Sequence, residues 1–293
     1  MGVEVREPAG RAVAGLDYLE SVTRLLQRRR LAEPARETWE AAELQWWWTR
    51  DRHEDSSRAR VWSDADGPVA AVSLTRWTSA RFSCEVLAEP DFAPAWRFAA
   101  ECSDRRRGAS VEMEIIDSDV DRQHAARAIG YVPSDETYVV SWLDAAGVKA
   151  TGRSLADGYE VVPRSGCGDR PHPMIRRNGI AVADALRQCS LYDPELDLTI
   201  RAEDGTFAGY ALFWADPVTN VGLLEPMRVE DAHAGRGLAT QLLSAGLQRL
   251  VDRGCTRLKV VANSSNPVSQ RLYRGAGFVA SDLGRVWHHG RRG

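Results

Sequence analysis

The sequence predicts an α+β protein built from two similar halves. Each half alternates strand-like and helix-like segments in the same order, which argues for α/β or α+β layers. A short internal match, "RAIGYV" (127–132) against "RGAGFV" (274–279), points to a duplication. The 293 residues, 44% of them hydrophobic, are enough for one large domain or two of ordinary size.

The first half opens with a strand-like "VEVRE" (3–7). The periodic run "GLDYLESVTRLLQRRRLA" (15–32) reads as a helix, and "ARETWEAAELQWWWTRD" (35–51) as a second. Strands follow in "ARVWS", "PVAAVSLTRW" and "FSCEVLA". Then come a helix in "PAWRFAAECSDRRR", a strand in "ASVEMEII", a helix in "DVDRQHAARAIGY" and a strand in "TYVVSWL". The small, polar, glycine-containing segment 144–158 reads as a connection. It sets an N-terminal domain at 1–147, a linker at 148–158 and a C-terminal domain at 159–293.

The second half starts at "YEVVP". Residues 164–188 are poorly patterned and are expected to hold one or two helices. Strands "LDLTIRAE", "TFAGYALFWA" and "VGLLEPMRV" lead to a strong helix, "GLATQLLSAGLQRLVDRG" (237–254). In it Leu238, Leu242, Leu243, Leu247, Leu250 and Val251 share a face, and Gly254 is placed to stop it. A strand "RLKVVAN", a helix "NPVSQRLYRGAG" and a strand "GRVWHH" close the chain.

The net charge of −3 gives no general pull toward nucleic acid or an anionic membrane. No apolar run approaches the roughly 18 residues of a membrane span, and the N-terminus lacks the apolar core of a signal peptide. Five cysteines without a C-x-x-C pair suit a reduced cytoplasm and argue against structural zinc. Just two lysines, Lys149 and Lys259, occur among 38 basic residues. The runs Arg28–Arg30 and Arg105–Arg107 read as solvated helix ends. Trp46, Trp47 and Trp48 point about 100° apart on a helix, so they read as packing groups that do not share one face.

The stretch "VEDAHAGRGLATQLL" (229–243) places two glycines, one residue apart, at the mouth of the strong helix. A P-loop needs four residues between its glycines and a following Lys-Ser or Lys-Thr, which are missing. A dinucleotide loop needs a third glycine where Thr240 stands. A loop for an acyl-CoA diphosphate needs consecutive backbone N–H groups at a helix N-terminus, which this stretch can supply. A plain tight turn is the alternative.

The flanks decide among these. The second half resembles the GCN5-related N-acetyltransferases, the GNAT superfamily. That family has a loop of the type Arg/Gln-x-x-Gly-x-Gly/Ala after its fourth strand, and the matching positions here run from Ala234 to Ala239. Downstream, "NPVSQRLYRGAGF" (266–278) resembles the family's Asn-x-x-Ala-x-x-Leu-Tyr-x-x-x-Gly-Phe, with Ser269 where alanine is usual. Upstream, "LLEPMRV" resembles the fourth strand of actinobacterial members that carry Glu-Pro there. The first half matches in element order and lacks the Gly-x-Gly loop, like a degenerate copy. The resemblance implies two tandem folds, each a mixed, mostly antiparallel sheet flanked by helices. Strands four and five of the C-terminal copy should splay.

It also implies acetyl transfer from acetyl-CoA to a primary amine of a small molecule or peptide, without a metal, in a monomer or homodimer. A mycothiol-synthase-like enzyme is one alternative, and a silent acyl-CoA-binding regulator is another. Pantetheine would meet Met227, Arg228 and Val229. The diphosphate would meet Gly235, Arg236, Gly237, Leu238, Ala239 and Thr240, and Asn266 and Tyr273 would complete the cofactor contacts. Ala234 replaces the usual cation, for which Arg236 can compensate. His233 in the loop reads as solvated.

An alkylammonium with a pKa near 10.4 is about one part in a thousand free amine at neutral pH, so a base is needed. Glu225 is the candidate, on a strand face expected to include Leu223, Met227 and Val229. Its alternative is a structural carboxylate paired with Arg228. Pro226 removes a ladder donor and predicts a bulge. Tyr273 matches the family's general acid for the departing thiolate; its alternative is helix packing. Asn266 and Pro267 fit a helix cap and first turn. Trp214 could face an acceptor pocket.

Overall fold

The computed structural model describes residues 9–36, 39–51, 53–106, 108–149 and 155–290. The expected strand 3–7 and part of the expected linker, 150–154, lie outside them. The described residues form two compact units: one runs up to Thr137 and resumes at Gly284, and the other is Tyr138–Leu283.

The first unit contains, in order, β1 (Arg11–Ala12), α1 (Gly15–Ala32), α2 (Ala41–Trp48), β2 (Ala59–Asp64), β3 (Gly67–Arg76) and β4 (Arg81–Leu87). Then come α3 (Ala93–Asp104), β5 (Ser110–Ile116), α4 (Val120–Ala128) and the start of β6 (Tyr131–Asp144). In α1, Leu19, Val22, Leu25 and Leu26 recur at helical spacing and are buried. A capping box between Glu40 and Glu43 starts α2. Trp46 and Trp48 are buried and Trp47 is half-buried, as packing groups. Arg30 departs from the expected solvated helix end. It is 3% exposed, pairs with Glu40, and donates to the carbonyls of Pro34 and Arg36 at 2.9 and 2.8 Å. A buried guanidinium is tolerated because its donors are taken up in this way.

The second unit contains the rest of β6, β7 (Tyr159–Pro163), α5 (Ile175–Asn178), α6 (Ile180–Leu186), β8 (Asp197–Ala202), β9 (Phe207–Asp216) and β10 (Val221–Val229). It continues through α7 (Leu238–Asp252), β11 (Arg257–Asn263), α8 (Pro267–Gly275) and most of β12 (Val279–His289). The strong helix forms as its apolar face predicts, with Leu238, Leu242, Leu243, Leu247 and Leu250 buried. Val251 is half-buried at the margin of that face. Gly246 is what lets α7 lie so close to the sheet, because a Cβ there would fall 1.9 Å from the ring of Phe213.

Each unit carries a mixed, mostly antiparallel sheet with one parallel pair. In the first, the order is β1-β2-β3-β4-β5 and then the C-terminal part of β12; β4 and β5 run parallel. In the second, it is the later part of β6, then β11-β10-β9-β8-β7; β10 and β11 run parallel. The closing strands are therefore exchanged along the chain. Residues 138–144 pair with β11, and Gly284–His288 pair with β5. The sequence-based division at 147 and 159 assigned each strand to its neighbours in the chain, and this long-range pairing is what it could not contain. No helix among the described residues is long and apolar enough to cross a membrane. All five cysteines are buried and free.

Candidate functional site

The second unit contains a wedge. The parallel ladder joins Val221, Gly222 and Leu223 of β10 to Arg257, Leu258 and Lys259 of β11. Beyond it, Met227, Arg228 and Val229 pair with β9, while Val260–Asn263 pair with β6 on the far side. The two strands thus part with their inner backbone edges facing a gap, as the expected splay requires.

The expected bulge lies at the mouth of the wedge. Leu224 stands opposite Phe213 and Met227 opposite Ala211, so Glu225 and Pro226 together oppose one residue of β9. The Trp214 indole N–H donates to the Glu225 carbonyl at 2.7 Å, satisfying a group that the bulge takes out of the ladder. Trp214 is itself 1% exposed, so it is a buried brace. The bulge corrects the expected strand face. Met227 and Val229 pack in the α7-side core with Leu224, whereas Leu223 pairs with Trp214 on the opposite face. Arg228, named as a partner in the alternative structural reading of Glu225, donates to Asp231 at 3.1 Å.

Tyr273 packs from α8 against the α7-side core, with its ring edge-on to Phe278 at 6.0 Å. Burial first, and then the charge of Glu225, push its phenol up to about 12. Asn266 caps α8 by accepting from the Ser269 amide at 3.2 Å, and Pro267 occupies the first turn.

The glycine loop stands at the head of α7. Gly235 and Gly237 have φ of +77° and +75°, and a Cβ on either would meet nothing within 4 Å. These glycines serve conformation and leave the space before the backbone open. Gly237 is the N-cap residue, and Thr240 donates back to its carbonyl at 3.1 Å. The amides of Leu238 and Ala239 open the helix, at the positive end of its dipole. His233 is not simply solvated. Its Nδ1 is 2.9 Å from the Tyr159 hydroxyl, and Arg236 lies 5.9 Å from the centre of the same ring. Tyr159 of β7 thus steadies the loop from below, a role that no motif in the sequence announces.

A polar cluster covers the face opposite α7. His172 is 2.9 and 3.0 Å from the two oxygens of Asp197, and its Nδ1 accepts from the Met174 amide at 3.0 Å. The proton is therefore on Nε2. Tyr192 donates to Asp197 at 2.8 Å and stands edge-on to Trp214 at 6.4 Å. Of these three residues only His172 lies in the poorly patterned stretch 164–188, and contacts that join 172, 192 and 197 follow no period. No group of three or more metal-binding side chains occurs among the described residues.

Residues 169–278 match the acetyltransferase (GNAT) family. A mycothiol acetyltransferase of Clavibacter michiganensis subsp. michiganensis (strain NCPPB 382) is 33% identical over 87 residues, 30% of this chain and 28% of the relative. The match thus spans under a third of that protein's length. Among solved structures, a tandem GNAT protein from the clavulanic acid biosynthesis pathway aligns over 96% of this chain and 98% of its own, with a TM-score of 0.67 at 16% identity. A GCN5-related N-acetyltransferase from Sphaerobacter thermophilus aligns over 97% and 95%, with a TM-score of 0.61 at 18% identity. At these identities the likeness is one of fold, and it extends along nearly the whole chain. The loop, the wedge, Glu225 and Tyr273 all fall within the matched GNAT segment.

Proposed function

We propose that the protein is an acetyl-CoA-dependent N-acetyltransferase acting on a primary amine of a small molecule or peptide, with its chemistry in the second unit. The observation that carries this is the wedge between β10 and β11, with an open glycine loop at the head of the next helix, Glu225 on β10 and Tyr273 on the helix that follows β11.

In this reading the main chain of Met227 and Val229 binds the pantetheine arm like an added strand. The amides from Gly235 to Ala239 hold the diphosphate, with the Thr240 side chain beside them and Arg236 supplying charge where Ala234 has none, and Asn266 adds a contact. The acceptor approaches Glu225 at the mouth of the wedge, where this residue is half-buried. Its nitrogen attacks the thioester carbonyl carbon, the carbon–sulfur bond breaks, and Glu225 takes the nitrogen's proton directly or through water. Products are the amide and CoA thiolate, which takes up a proton from solvent as Glu225 returns its own to solvent.

Tyr273 approaches from the α7 and α8 side, where the sulfur departs. A phenol at about 12 stays protonated at neutral pH. Full transfer to a thiolate of pKa near 8.5 is uphill, so its main contribution is a hydrogen bond to the growing charge on sulfur.

Thiol release from acetyl-CoA with a panel of amines is the test. Thermal stabilisation by acetyl-CoA without release for any amine would favour a silent acyl-CoA-binding regulator. Stabilisation by NAD or ATP, and none by acetyl-CoA, would overturn the loop assignment. The mycothiol acetyltransferase match favours adding a cysteinyl amine of a sugar conjugate to the panel.

A further inference from the structure

Lys259 is one of two lysines among 38 basic residues, yet it is 4% exposed in the middle of β11. An ammonium so deep in a fold calls for a charge partner. Its neighbours Leu258 and Val260 belong to the core under α7, so Lys259 alternates to the opposite face. There it stands in register with Leu223 on one side and Trp142 on the other, with its nitrogen 5.8 Å from the Trp142 ring centre. Glu225 is two residues beyond Leu223, which a period of two places on the same face, diagonal to Lys259. The ladder between the two parallel strands ends at this rung, and the flexible four-carbon stem of a lysine lets its ammonium reach toward a carboxylate just beyond it. The Trp214 bond to the Glu225 carbonyl fixes the main chain at that point.

The first unit gives a control. Its parallel ladder ends at Ser83 beside Glu112, where the second unit has Leu223 beside Lys259. Two residues on stands Glu85, the counterpart of Glu225. Glu112 is held by Arg81 at 2.8 Å and offers no positive charge, and Glu85 is displaced upward by burial. The same rung is thus acidic in one unit and basic in the other.

Several other charged groups near this face make contacts of their own. Asp197 is bonded by His172 and Tyr192, and Arg228 by Asp231. Asp216 accepts the amides of Val218 and Thr219 at 2.9 and 3.4 Å, and Arg257 lies 4.2 Å from the Trp142 ring centre. Tyr273 is neutral.

We propose that Lys259 is the counter-charge of Glu225, a positioning residue that keeps this carboxylate ionised and sets the lower pH limit of its action as a base. The inference rests on Glu225 being the base.

The test measures kcat/KM against pH, and melting against pH without substrate, for Lys259→Met, Lys259→Arg, Glu225→Gln and the Met–Gln double variant. Lys259→Met should move the acid limb of the profile upward by about 1–3 units, the usual effect of losing an adjacent opposite charge. Lys259→Arg should stay with the wild type. Lys259→Met should also lower the melting temperature at neutral pH, and adding Glu225→Gln should restore it. An unmoved acid limb in Lys259→Met would overturn the proposal. So would a melting loss restored by Asp216→Asn and not by Glu225→Gln. Full activity in Glu225→Gln would instead remove the base reading, and the melting comparison would then decide the charge pairing alone.

Discussion

Glu85 and Glu225 occupy equivalent places in the two units, two residues past the last rung between parallel strands, yet their surroundings differ in kind. Glu85 is 4% exposed and accepts from Ser73 and Thr75 at 2.9 and 3.0 Å. Tyr18 is bonded to Ser73 at 2.7 Å and stacks on His53 with centroids 4.4 Å apart. Burial outweighs those hydrogen bonds and pushes the carboxyl up to about 8. Glu225 is half-buried, at a bulge, on the rim of a gap. The same acid is locked into the core in one unit and presented at an opening in the other. What distinguishes them is the bulge at Pro226, the glycine loop after it, and the hydroxyl-bearing strand beside Glu85.

The strongest way to break this comparison is to remove each carboxylate in turn. Glu225→Gln should lower turnover by roughly 10²- to 10⁴-fold at neutral pH, with partial recovery at high pH as free amine accumulates. Glu85→Gln should leave turnover near that of the wild type. Equal losses in the two variants, with folding checked by melting, would show that the units do not divide their work in this way. Tyr273→Phe keeps the ring and loses the donor. It should lower turnover by about 10²- to 10³-fold and leave acetyl-CoA affinity nearly intact. A folded Tyr273→Phe protein of normal activity would reduce the residue to packing against Phe278.

The glycine loop is the second difference between the units. Acetyl-CoA at 100 times its dissociation constant should stabilise the protein by about 2.7 kcal/mol. Gly237→Val places a β-branched residue at a φ of +75° and fills the space before the backbone, so the melting shift should vanish. A shift that survives this change would mean that the diphosphate binds elsewhere.

Much of this was legible in the sequence, for identifiable reasons. The helix α7 shows through the spacing of its leucines, the bulge through Pro226 inside an apolar run, and the loop through Gly235 and Gly237. Each signal is local. The parts that escaped depend on which strands pair. The exchange of residues 138–144 and 284–288 between sheets leaves no mark in either segment's own pattern. The extra bulge residue turned Met227 and Val229 away from the face of Leu223, so period-two counting failed past Glu225. Lys259 and Glu85 look like ordinary strand charges until register shows what lies beside them.

The smallest expected effect concerns stability alone and tests whether Glu85 is the neutral, buried member of the pair. Its carboxyl sits at about 8 in the fold against an ordinary 4.5, so the unfolded chain loses this proton first as pH rises. That removes stability progressively between those values, with no further change above about 8. His53 acts oppositely. Burial lowers it from 6.5 to about 4, so the unfolded chain gains this proton first as pH falls, and stability is lost between 6.5 and about 4. From 4.5 to 6.5 the two slopes offset one another. From 6.5 to 8 Glu85 acts by itself, at a slope on the order of 1 kcal/mol per pH unit. The wild type should therefore lose melting temperature between pH 6.5 and 8 relative to Glu85→Gln, which has no proton to give up. A difference between the two proteins that stays constant over this range would mean that Glu85 is already ionised in the fold. The contrast with Glu225 would then rest on the bulge and the glycine loop, with no part played by charge.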